Sequence, residues 1–218
     1  EKDDNLGQEG FIIRTVDAGI IIAGANPRGT LYGVYAFLEK LGCRWLAVDE
    51  TIVPSIPDLK VEPMNIRESP AFEYRFAFYR PSLNADWSSR NRLNGTESTP
   101  LHGGYLKYIQ GASHSFSTLV PPDKYFDVHP EYYSMINGER VKNKQLCLTN
   151  PDIFNIMLDS LRERLRKNPE NNIVSVSIND CGGPCECPEC KNIYEKCGSH
   201  AGSLVLLLNK LAETLEKD

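Results

Sequence analysis

The chain has 218 residues, 41% hydrophobic and 24% charged, which excludes disorder over most of its length and suits one large domain or two small ones. A net charge of −5 and a pI of about 5.5 exclude the basic surface of a nucleic-acid binder. No apolar run approaches the ~18 residues of a membrane span, and Glu1-Lys2-Asp3-Asp4-Asn5 is not a signal peptide, although a mature exported protein would lack one too.

Residues 1 to about 10 are polar and read as a frayed start. Phe11 to Val16 and Gly19 to Gly24 are β-rich runs joined at Asp17-Ala18-Gly19, which predicts a hairpin. Asn26-Pro27 opens a helix with Leu31, Val34, Tyr35, Leu38 and Leu41 on one face, and Gly42 stands where a left-handed C-cap belongs. Cys43 to Val48 returns as a strand. This β-β-α-β unit, residues 1–65, ends in a linker marked by Pro54, Pro57 and Pro63.

From Phe72 the rhythm changes. Phe72 to Tyr79 is aromatic and strand-like, and Arg80-Pro81 stops it. Trp87 to Leu93 reads as a short helix, Tyr108 to Gln110 leads into Gly111-Ala-Ser-His-Ser-Phe116, and residues 120–144 read as a long structured loop. Gln145 to Leu148 is a short apolar run. Thr149 or Asn150 then caps a helix with Ile153, Ile156, Met157, Leu161 and Leu165 on its buried face. Arg162, Arg164, Arg166 and Lys167 read as its solvated face. Asn172 to Ile178 is the clearest strand. A cysteine-rich loop (181–197) follows, then a helix from Ala201 to Glu216 with Leu204, Leu207, Leu208, Leu211 and Leu215 on one face. Strands alternating with helices point to parallel βα units. Residues 72–218 fall short of the ~250 of a closed (β/α)8 barrel. The expected fold is therefore α/β: the small domain, then over 66–218 the first half of a TIM-type barrel.

Three segments resemble family 20 hexosaminidases and family 67 α-glucuronidases. Arg28 to Trp45 (RGTLYGVYAFLEKLGCRW) resembles the small α/β domain that precedes the barrel there, Gln145 to Asp152 (QLCLTNPD) the entry to a barrel helix, and Gly111 to Ser115 (GASHS) a turn of family 20. The order Asn179-Asp180, then Cys185-x-Cys187-x-x-Cys190, then Gly198-Ser-His-Ala-Gly-Ser203 is similar to the domain-of-unknown-function 4838 family of Bacteroides-type bacteria. The resemblance implies a glycoside hydrolase or glycan-processing protein acting on a complex polysaccharide or glycoside, with an exported, periplasmic or extracellular location. The alternatives are a non-catalytic carbohydrate-binding module on a degenerate barrel, and a zinc-ribbon interaction module.

Asp180 ends the best strand, where barrel active sites are built. The resemblance implies a carboxylic acid there that protonates the leaving oxygen, as glycoside hydrolysis requires. Where family 20 has an Asp-Glu pair, this chain has Asn179-Asp180, and the plain alternative for Asp180 is a turn cap. His114 is the second catalytic candidate, by a hydrogen bond to sugar or support of the acid, against a satisfied structural histidine. Arg80 offers a fork for sugar hydroxyls or a uronic carboxylate, against a surface ion pair. Trp87 offers a stacking platform, as do Tyr105, Tyr108, Tyr132 and Tyr133, against ordinary packing. Asn94 and Asn179 complete the candidate sugar contacts. The second carboxylate is not placed. Asp86, Glu97, Asp123 and Glu131 are candidates within the chain, and strands beyond residue 218 are the other expected source.

Five of the seven cysteines fall between Cys181 and Cys197. Cys185, Cys187 and Cys190 supply three soft ligands within six residues, with Cys181, Cys197 or His200 as a fourth for structural zinc. In an exported protein, disulfides are the rival: Cys185 or Cys187 with Cys190, and Cys181 with Cys197. Cys43 and Cys147, in strands, read as buried small hydrophobes. The expected partner is a carbohydrate, with no nucleic acid; no oligomeric state follows.

Overall fold

The computed structural model describes residues 6–170 and 173–218; residues 1–5 of the expected frayed start and Asn172 of the expected strand lie outside the described residues. Contacts divide the chain into two compact units, Glu1–Lys107 and Tyr108–Asp218.

In the first unit β1 (Phe11–Val16) and β2 (Gly19–Gly24) form the expected antiparallel hairpin, and β5 (Asn65–Glu68) adds to the other edge of β1. α1 (Pro27–Lys40) is capped by Asn26, whose side chain accepts from Gly29 N at 2.8 Å, with Pro27 in the first turn. α1 does not bury the predicted leucine face. It turns Tyr32, Gly33 and Ala36 onto Phe11 and Ile13, and leaves Val34 exposed. The reason is close approach: a Cβ on Gly33 would stand 2.8 Å from Ile22, and one on Gly29 would stand 2.7 Å from Gly10 O. The glycine face alone lets helix and sheet meet at that distance.

The strand expected from Cys43 shrinks to β3 (Arg44–Trp45), paired with β4 (Thr51–Ile52) in a ladder of its own. Residues 6–10 are not frayed. Ser69 donates to Leu6 O at 2.9 Å, and Glu9 is 5% exposed. The aromatic run 72–79 pairs with no strand among the described residues. Asn94 takes the place of a partner: Asn94 N donates to Arg75 O at 3.0 Å, and Arg75 N donates to Asn94 Oδ1 at 2.8 Å. α2 (Ala85–Arg90) starts two residues earlier than expected because Asn84 caps it, accepting from Trp87 N at 2.9 Å. Residues 66–107, assigned on sequence to the second domain, make their contacts within the first unit.

In the second unit β6 (Tyr108–Ile109) and β9 (Ile173–Val174) form the one parallel pair among the described residues, whose sheets are all small. β9 is shorter than the predicted Asn172 to Ile178. Past Val174 serines replace the ladder: Ser177 N donates to Ser115 Oγ at 2.9 Å, and Ser115 N to Ser177 Oγ at 3.3 Å. Serine side chains compete with backbone pairing in just this way. The expected loop 120–144 is largely folded. α3 (Phe116–Leu119) and α4 (Pro122–Tyr125) precede the hairpin of β7 (Met135–Ile136) and β8 (Glu139–Arg140). Asn137 (φ 52°) and Gly138 (φ 83°) make its tight turn, which suits their tolerance of positive φ.

α5 (Pro151–Lys167), α6 (Pro188–Cys197) and α7 (Ala201–Leu215) complete the unit. The core joins Ile153, Met157, Leu158 and Leu161 of α5 to Leu207 and Leu211 of α7, with Phe116, Leu119, Val120, Tyr132 and Tyr133. No described helix is long and apolar enough to cross a membrane.

Candidate functional site

The Ser115–Ser177 hydrogen bonds bring the turn after β6 against the chain after β9. A cavity of about 300 Å³ opens there, lined by His114, Ser117, Lys144, Asn179 and Asp180 among others. His114 holds a left-handed backbone (φ 55°), and its Nδ1 stands 3.2 Å from Ile178 O, so that nitrogen carries the proton. Asn179 is held on three sides. Its N–H donates to Gln145 Oε1 (3.0 Å), its Nδ2 to Lys144 O (2.8 Å), and its Oδ1 accepts from Ser117 N (3.1 Å). Asp180 is exposed and is the sole carboxylate among the described lining residues.

The structure thus brings Asp180, His114 and Asn179 to one cavity. Arg80, Asn94 and Trp87 belong to the first unit. Arg80 is exposed at the start of a 3-10 turn. Trp87 is buried, its indole N–H donating to Trp45 O at 3.1 Å, so it packs rather than presenting a sugar platform. Asn94 is 1% exposed and donates to Glu9 at 3.0 Å. Tyr132 and Tyr133 lie in the core. Among the candidate second carboxylates, Asp86 is engaged with His102, Asp123 with Lys142 and Glu131 with His129.

A second cluster lies beyond Asp180. The thiols of Cys147, Cys185, Cys187 and Cys190, all buried, stand within 4.8 Å of one another, close enough to share one metal ion. Cys187 precedes α6, with Pro188 in the first turn, and Cys190 lies one turn on. Both therefore sit at the positive end of a helix dipole. Glu186 N donates to Met135 O at 2.8 Å, which pins the strand of the knuckle to β7. Cys147 arrives from the chain before α5, where its N–H donates to Tyr132 O at 2.9 Å.

Polar groups face the sulfurs. Met135 N donates to Cys185 Sγ at 3.4 Å, Arg140 Nη1 lies 3.7 Å from the same sulfur, and Thr149 Oγ1 lies 3.2 Å from Cys190 Sγ. Hydrogen bonds from Cys185 and Cys190 hold the Cys147 thiol far below its ordinary pKa. Those from Cys147 and Cys185, with burial, push Cys190 far above it.

The ligand set differs from the expected one. Cys181 is not in the cluster; its sulfur accepts from Gln145 Nε2 at 3.4 Å beside the cavity. Cys197 is exposed at the end of α6, and His200 packs edge-on against Tyr194. Cys147, read as a small hydrophobe, takes the fourth place. All seven cysteines are free thiols, and none of the expected disulfides forms. The only sequence signal for Cys147 was arithmetic: three clustered thiols need a fourth.

The family described as Domain of unknown function (DUF4838) matches residues 45–218, and the one described as Glycosyl hydrolase family 67 N-terminus matches residues 1–37. No curated protein and no solved structure matches the chain.

Proposed function

We infer that this chain, which belongs to the DUF4838 family, is a glycan-processing protein of the glycoside-hydrolase type, acting on the glycosidic bond of a polysaccharide or complex glycoside. The observation that carries this reading is the family 67 match on residues 1–37, directly ahead of the DUF4838 match. Those residues include the β1–β2 hairpin and most of α1, the small domain that stands before a barrel in the enzymes the chain resembles. On this reading β6 and β9 are neighbouring strands of a partial (β/α) barrel, and the Asp180 cavity lies past their C-terminal ends, where barrel enzymes carry their sites. An exported location and a carbohydrate partner belong to the same reading.

Asp180 is the general acid, and His114 and Asn179 orient the sugar beside it. The expected effect of Asp180→Asn is a fall in turnover of about 10²–10⁴-fold on chromogenic glycosides cleaved by the wild type, with sugar affinity kept. A second reading, a carbohydrate-binding module without catalysis, is favoured by the lone carboxylate in the cavity, since hydrolysis ordinarily needs two. Sugar binding with no turnover across the panel would decide for it.

The four-cysteine centre is a closed structural zinc site. Four sulfurs at ~2.3 Å from zinc in a tetrahedron stand roughly 3.8 Å from each other. Cys147 Sγ lies 3.7 Å from Cys187 Sγ and 3.9 Å from Cys190 Sγ. Four thiolates leave zinc with surplus negative charge, and Arg140 is the cation beside them. Arg140→Gln is expected to weaken zinc binding about 10–100-fold, and Arg140→Lys to restore part of it. A competition titration against a chromophoric chelator reads both variants, and unchanged affinity in the glutamine variant would remove Arg140 from the site.

A further inference from the structure

Between the cavity and the cysteines runs a short strap, Cys181-Gly182-Gly183-Pro184. Its first residue, Cys181, lines the Asp180 cavity, and all four residues line a hollow of about 260 Å³ shared with Ile178, Tyr194 and Leu204 among others. Gly183 packs closely on the side chain of Ile136, whereas Gly182 faces open space. Two glycines, one of them left-handed (Gly183, φ 91°), make it pliant.

Its other restraints are at its ends. At the cavity end Gln145, itself buried, donates from Nε2 to Asn179 O (2.9 Å) and Cys181 O (2.6 Å) and accepts from Asn179 N (3.0 Å). At the far end is Cys185, a member of the thiol cluster. A second wall segment of the cavity, Asn143, Lys144 and Leu146, runs directly into Cys147, the fourth member. These two wall segments are thus each followed within a few residues by a ligand of the same centre.

We propose that the metal bound by the four cysteines is the clasp of the Asp180 cavity: by joining Cys147 to Cys185, Cys187 and Cys190, it fixes the wall 143–146 to the wall 179–181. This rests on the zinc reading of the centre and is independent of the sugar. Without the cation nothing bridges the four sulfurs. The walls are then left to the hydrogen bonds of Gln145 and Asn179. Binding energy at a structural site is folding energy, and here it is spent on the position of Asp180.

Hydrogen–deuterium exchange on the whole chain, read by mass spectrometry, tests this with zinc alone as the probe. Zinc-loaded protein is compared with protein stripped by chelator under reducing conditions and then reloaded. The expected result is exchange slower by about tenfold or more, on loading, in 143–147 and 179–183 as well as in 185–190. Protection confined to 185–190 would overturn the clasp while leaving the zinc site standing. Failure to take up zinc would overturn both. Should stripping unfold the second unit, zinc-loaded Gln145→Ala decides instead. A metal clasp keeps both walls protected without Gln145, whereas walls released despite bound zinc would show that the glutamine, not the metal, joins them.

Discussion

Replacing Cys147 with serine is expected to strip zinc from the protein, from about one ion per chain to about none, and to loosen the cysteine segment 185–190. Serine keeps the size of the side chain and removes the soft, ionisable ligand atom, so the loss is one of coordination and not of volume. The effect is large because the cluster is itself a small core. Cys147, Cys185, Cys187 and Cys190 pack with one another, and the hydrophobic side chains against them are Met135 and Tyr194. On the zinc reading a core of that size is held by its ion, and structural zinc in small peptides is worth on the order of 10–16 kcal/mol at neutral pH. Elemental mass spectrometry reads the metal, and far-UV circular dichroism reads the helix content of the chain, that of α6 included. Cys181→Ser and Cys43→Ser are the controls, and both should keep the full complement of zinc. A chain that keeps zinc without Cys147 and loses it without Cys181 would restore the ligand set that spacing suggested and refute the one found in the fold.

The second large effect belongs to the first unit. Glu9 is 5% exposed and faces two guanidinium groups. Arg28 Nε stands 2.6 Å from its carboxylate, close enough for an ion pair although the N–H is not well aligned, and Arg75 Nη2 is in direct contact. Asn94 adds hydrogen bonds of 3.0 and 3.1 Å to the two carboxylate oxygens. Glu9→Gln leaves two arginines in a poorly hydrated site with no counter-charge, so a loss of about 3–5 kcal/mol is expected. The comparison that tests the cause is Glu39→Gln. Glu39 also pairs with an arginine, Arg92 at 2.6 Å, but both side chains are about a third exposed, and its loss should cost about 0–1 kcal/mol. Trp45 and Trp87 are the chain's two tryptophans and both lie in the first unit, so tryptophan fluorescence in a urea titration follows that unit alone. Equal, small losses in the two variants would show that water still reaches Glu9.

The features legible in the sequence are those encoded over a few neighbouring residues. The β1–β2 hairpin follows from alternating β-rich runs and a turn, and α1 and α5 from an asparagine cap with proline after it. The Cys-x-Cys-x-x-Cys knuckle follows from ligands that one turn of chain can present together. Periodicity went too far where side chains took the place of a ladder: Asn94 beside the run 72–79, and Ser115 beside Ser177. It also chose the wrong face of α1, because glycine carries no hydrophobic signal and yet permits the closest helix–sheet contact.

By itself, then, the sequence determined the local elements, three of the four thiols and the nearness of Asp180 to them. Only the tertiary structure decided the fourth thiol, Cys147, 40 residues before Cys187, and the burial of Glu9 among Arg28, Arg75 and Asn94. The physical reason is the same in both cases. A shared ion or a buried counter-charge depends on segments far apart in the chain converging to within about 4 Å, close enough for charges taken out of water to be paired. No run of neighbouring residues records that convergence.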